Sequence, residues 1–108
     1  MKIILGVVGV LALIAVNIKM TNAYNKVTEG STCRRITLAS ECTMAAQHLG
    51  LDTWVSTARE ETESNYPPGC YFQPGASGVN LWFNKDSNSD MKCTSDNVCL
   101  CKGGHLLK

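Results

Sequence analysis

Six cysteines, at positions Cys33, Cys42, Cys70, Cys93, Cys99 and Cys101, carry the plainest chemical potential in this 108-residue chain. Thiols can hold zinc or pair as disulfides, and the spacing separates the two uses. The gaps between successive cysteines are 8, 27, 22, 5 and 1 residues, with no Cys-x2-Cys pair, so the usual structural-zinc knuckles are absent. His48 and His105 are read instead as a helix-surface residue and a tail residue, and no metal or other cofactor is expected. An even cysteine count in a short exported chain argues for three disulfides. Cys99 and Cys101 lie two apart, so on a strand they point to one face and must reach different partners. The element bearing Cys42 is the expected cover for that face, which favours Cys42 bonding to Cys99 or Cys101 among the fifteen possible pairings.

Other chemistry finds little support. Asp86-Ser87-Asn88-Ser89-Asp90 imitates the first half of a calcium loop, but the sixth position is Met91 where glycine is needed, and the twelfth is Asn97 where a bidentate glutamate is needed. A solvated turn accounts for it. No nucleophile elbow, histidine-rich metal motif or paired-acid arrangement accompanies the serines, aspartates and histidines, so the chain is not expected to be an enzyme. Arg34-Arg35 is read as surface charge, since cleavage there would strand Cys33. No N-glycosylation sequon occurs.

The compartment follows from the N-terminus. Lys2 precedes an apolar run from Ile3 to Val16, shorter than the roughly 20 residues of a membrane span, and Thr21-Asn22-Ala23 offers small residues before a cut. Residues 1–23 therefore read as a secretion signal, with Tyr24 as the mature N-terminus and no stable membrane anchor. Losing Lys2 and Lys19 leaves eight basic against nine acidic residues, a net of about −1. That balance disfavours nucleic-acid binding and a cationic membrane-active mode. The core of such a short mature chain is marginal, and three crosslinks at roughly 2 to 4 kcal/mol each would supply much of its stability.

Residues 24–32 are polar and read as a flexible arm, and residues 33–102 as the disulfide-rich domain. Leu38, Cys42, Ala45 and Leu49 form a one-face helical stripe, with Thr37 as N-cap and Gly50 at the C-terminal cap. Residues 51–58 give a weak strand signal, and the acidic run 59–65 reads as a surface loop. Tyr66-Pro67-Pro68-Gly69 fixes the backbone before Cys70. Residues 70–73 and 79–84 flank a glycine-bearing turn and predict a hairpin; residues 85–97 read as a loop, 98–102 as a third strand and 103–108 as a mobile tail. The sum is an α+β fold, one helix packed on a three-stranded antiparallel sheet.

Tyr66, Tyr71, Phe72, Trp82 and Phe83 gather on and beside that hairpin. Alternation turns one member of each adjacent pair away from the helix, and partly exposed aromatics are enriched in binding hot spots. Tyr71, Trp82 and Lys85 are the candidate binding residues, with Lys85 and Trp82 as a basic-aromatic pair. The Tyr66-Pro67-Pro68-Gly69-Cys70-Tyr71 stretch, Leu81-Trp82-Phe83-Asn84, Cys93 and Cys99-Leu100-Cys101-Lys102, preceded by Cys42, Ala45-Ala46 and Leu49-Gly50-Leu51, resembles a small cysteine-rich extracellular module of secreted proteins from marine invertebrates and single-celled eukaryotes. The resemblance spans residues 33–102 and implies a disulfide framework, but no activity and no site residue. The expected function is a secreted, monomeric toxin or defence-type effector acting on an extracellular protein or receptor. Alternatives are a recognition or matrix module binding glycan or protein through the hairpin aromatics, and a small protease inhibitor working through residues 65–69 or 73–78.

Overall fold

Alternating side chains in two short runs build the centre of the molecule. The structure, a computed structural model, describes residues 23–103; the expected signal, Ala23 apart, and the tail beyond Gly103 lie outside the described residues. Strands β3 (Gly69–Phe72) and β4 (Leu81–Asn84) form the expected antiparallel hairpin, closed by the Gln73 amide donating to the Asn80 carbonyl at 2.8 Å. Helix α1 (Ala39–His48) covers one face. Cys70, Phe72, Leu81 and Phe83 turn towards it and join Ile36, Cys42, Ala45 and Ala46 in the main core, together with Val98 and Leu100 of strand β5 (Val98–Lys102).

The sheet is larger than three antiparallel strands. It has five, in the order β1 (Tyr24–Val27), β5, β3, β4 and β2 (Arg59–Glu61), with β2 parallel to β4 and the other neighbours antiparallel. Strand β1 lies in the segment expected to be a loose arm, and β2 in the acidic run expected to be a loop. Both are edge strands rich in polar and charged side chains, the composition that protects an edge and hides it from a hydrophobicity pattern. Tertiary links hold them: the Gly103 amide donates to the Ala23 carbonyl at 2.8 Å, and the Lys85 amide to the Glu61 carbonyl at 2.8 Å. The weak strand signal over 51–58 yields no strand; the Asn80 side chain stitches this crossing instead, accepting from the Trp54 amide and donating to the Asp52 carbonyl.

Helix α1 begins one residue later than the stripe suggests. Leu38, extended and 61% exposed, precedes it, and no side chain caps it, so Thr37 is not the cap. At the other end Gly50 has φ +67, the Leu51 amide donates to the Ala46 carbonyl and the Gly50 amide to that of Gln47, a Schellman closure.

Three disulfides close the fold: Cys33–Cys101, Cys42–Cys70 and Cys93–Cys99. The favoured pairing of Cys42 with Cys99 or Cys101 is thus corrected. Cys99 and Cys101 do share a face, as their spacing requires, but Val98 and Leu100 occupy the helix side of β5. The two cysteines point to the opposite face, where they form a second small cluster with Cys93, Cys33 and Val27. Cys42 meets the helix-facing residue of β3, Cys70.

Candidate functional site

The helix-free face of the hairpin holds two of the three candidate binding residues, and they differ in exposure. Tyr71 is fully buried, at 0%. Its ring stacks on Tyr66, with centroids 5.6 Å apart and planes 10° from parallel, and its hydroxyl donates to the Glu61 carboxylate on β2. Burial, then the bond and charge of Glu61, push the Tyr71 hydroxyl well above the ordinary tyrosine range. The Glu61 carboxyl is also raised: burial lifts it, the bond from Tyr71 pulls it back, and the Glu63 charge adds to the rise. Tyr71 therefore braces β2 against β3 and offers no free surface.

Trp82, its cross-strand partner, is partly exposed. The indole N–H donates to Gln73 Oε1 at 3.1 Å, and Gln73 Nε2 donates to Asn97 Oδ1 at 2.9 Å, so the ring is held by a chain of amides. Next to it a shallow cleft of about 370 Å³ is lined by Tyr66, Gln73, Gly75, Ala76, Asp96 and Asn97. An aromatic, two amides and a carboxylate at an open cleft supply hydrogen-bond donors and acceptors beside an apolar surface. That set suits holding a ligand.

Lys85 is placed elsewhere. It lines a separate cleft with Phe83 and Arg35, and its ammonium lies 3.4 Å from Glu60 Oε1. The basic-aromatic pairing of Lys85 with Trp82 is not formed, because alternation along β4 and into Lys85 separates them.

Asp86 caps its own turn, accepting from the Asn88 amide at 3.1 Å, and among the described residues no three His, Cys, Asp or Glu side chains converge as a ligand set. His48, at the end of α1, has its ring 5.6 Å from that of Tyr24. The 65–69 segment does not stand out as a presented loop: Pro67 is fully buried, and the Tyr66 and Pro67 carbonyls accept from Asn84.

Two features escaped the sequence reading. Trp54 is 68% exposed, the most exposed of the large apolar side chains among the described residues, and its poorly alternating surroundings gave no signal for this. Asn80 and Asn84 are buried amide clamps at 2% exposure each. Asparagine is depleted in strands, so its appearance at both ends of Leu81-Trp82-Phe83 was the available clue.

Fold and site together define a small disulfide-rich α+β domain with its cysteines fully paired among the described residues. No described helix is long and apolar enough to cross a membrane. Compared with protein-family models, curated proteins and solved structures, the chain matches none of them.

Proposed function

We propose that the chain is a secreted, disulfide-stabilised binding protein, a toxin or defence-type effector that presents the helix-free face of its hairpin to an extracellular target. The observation carrying this reading is the preorganised surface around Trp82: a partly exposed indole fixed through Gln73 to Asn97, beside a cleft lined by Tyr66 and Asp96, on a sheet that three disulfides tie to the helix and to the flanking segments. Rigidity of this kind lowers the entropy lost on binding. The same donors and acceptors favour a second reading, recognition of a glycan.

The test applies labelled, oxidised protein to a panel of animal and microbial cells, following saturable binding, viability and membrane current. Saturable binding with a cellular response is expected, weakened about tenfold or more by Trp82→Ala with the far-ultraviolet spectrum unchanged. Binding that disappears after enzymatic removal of surface sugars assigns the target to glycans, and binding without a response favours a recognition module over an effector. Absence of saturable binding and of any response over a wide dose range overturns the proposal.

A further inference from the structure

On the other side of β4 from Trp82, a cleft of about 280 Å³ is lined by two exposed cations, Arg35 and Lys85, by Thr37 and Ser87, and at its apolar floor by Phe83, 9% exposed, over the buried Ile36. Arg35 is held in position. Its stem lies across Gly69, whose φ is +83, so closely that a Cβ there would approach Arg35 Cγ to 2.7 Å. One guanidinium nitrogen donates to the Ser87 carbonyl at 3.3 Å, which leaves most of its five N–H donors unused. Lys85 is committed only to Glu60, in an exposed pair at 3.4 Å whose partners are each 54% exposed. Such a pair is weak and exchangeable.

We infer that this cleft binds a small carboxylate carrying an apolar group, with the carboxylate between Arg35 and Lys85 and the apolar body against Phe83. Charge complementarity selects an anion. The planar guanidinium fork matches a carboxylate in bidentate fashion, and the apolar floor selects a hydrocarbon substituent over a bare inorganic ion. The volume limits that substituent to a short aliphatic chain or one side chain, because clefts for drug-sized ligands begin at about this size. Either a free organic acid or the C-terminal residue of a polypeptide presents this chemistry. The site shares no lining residue with the Trp82 cleft, so it stands or falls separately from the function proposed above.

The experiment is a titration of the oxidised protein, observed by its amide resonances, with hexanoate, hexanamide and N-acetyl-leucine. Hexanoate is expected to give saturable shifts at Thr37, Lys85 and Ser87 in the millimolar range, with hexanamide at least about tenfold weaker. Arg35→Gln and Lys85→Gln should each weaken hexanoate about tenfold. Glu60→Gln, which releases Lys85 at an exposed site, should tighten it. Matching affinity for N-acetyl-leucine points to a polypeptide C-terminus as the source, and clear preference for hexanoate points to a free acid; both support the inference. Equal binding of hexanamide, unchanged affinity in Arg35→Gln, or no saturable shift at millimolar hexanoate overturns it.

Discussion

At the residue scale, the buried amide of Asn84 ties together more of the chain than any aromatic does. Its Oδ1 accepts from the Glu63 amide at 3.0 Å and the Asp86 amide at 3.1 Å, while the two N–H groups of Nδ2 are shared among the Glu63, Tyr66 and Pro67 carbonyls at 2.6, 3.1 and 3.1 Å. One side chain thus satisfies backbone groups on both the segment leading into β3 and the loop leaving β4. Asn84→Ala is expected to lower stability by about 2 to 4 kcal/mol, because several partners lose their bond where water enters poorly. Asn84→Asp should be no better at neutral pH, since a carboxylate cannot donate to three carbonyls and would face them with its charge. Denaturant unfolding of the three proteins checks this, and near-wild-type stability of Asn84→Asp would remove the clamp from the account. The identity of Asn84 was plain in the sequence but its partners were not, for they depend on how two irregular segments converge. The same limit applies to Tyr71: alternation put either it or Phe72 on the helix-free face, but Tyr66 and Glu61, which bury it, come from segments without periodicity.

Elements differ in how far local sequence determines them. The hairpin, β5 and the C-terminal half of α1 were legible because each carries its own signal, alternation around a turn for the strands and a glycine closure for the helix. Strands β1 and β2 were not, since their pairing is imposed by the body of the protein on sequences that are polar by themselves. Covalent anchoring shows this for β1. Cys33 follows β1 by six residues and bonds Cys101 on β5, while Arg34 and Arg35 continue beside β5, the Lys102 amide donating to the Arg34 carbonyl at 2.8 Å. The three bridges close loops of very different span, with sequence separations of 68, 28 and 6 residues. Loop-closure entropy assigns them about 4, 3.5 and 2 kcal/mol respectively. Paired replacement by alanine should follow that order, with Cys33→Ala/Cys101→Ala the most damaging and Cys93→Ala/Cys99→Ala the least, as read by denaturant midpoints. In the first variant, amide exchange should also rise selectively over residues 24–27. If β1 stays as protected as in the parent, its pairing owes nothing to the bridge.

For the molecule as a whole, stability becomes a function of alkaline pH through two tyrosine hydroxyls, one buried and one partly exposed. The folded state raises Tyr71, chiefly by burial and then through Glu61, and raises Tyr24, again by burial first and then through the charge and hydrogen bond of Glu41. A tyrosine in the unfolded chain releases its proton near pH 10. Below that value both states hold the proton and the contribution is fully present. Above it the unfolded chain ionises while the folded one still binds the proton, so stability falls as pH rises towards the folded values, by up to about 1.4 kcal/mol per pH unit for the buried Tyr71, with a smaller contribution from the more exposed Tyr24. Glu61 acts in the same sense at acid pH: its raised carboxyl makes the folded state the stronger proton binder, and stability declines as pH climbs through the carboxylate range. Unfolding free energies measured from pH 8 to 11 should therefore slope downward above about pH 10. Tyr71→Phe should be less stable by about 1 kcal/mol at neutral pH, where the bond to Glu61 is lost, but its alkaline slope should be gentler by one proton, so the two curves approach each other. Parallel curves for Tyr71→Phe and the parent would mean that Tyr71 ionises equally in both states, and the brace between β2 and β3 would then lie elsewhere than in this hydrogen bond.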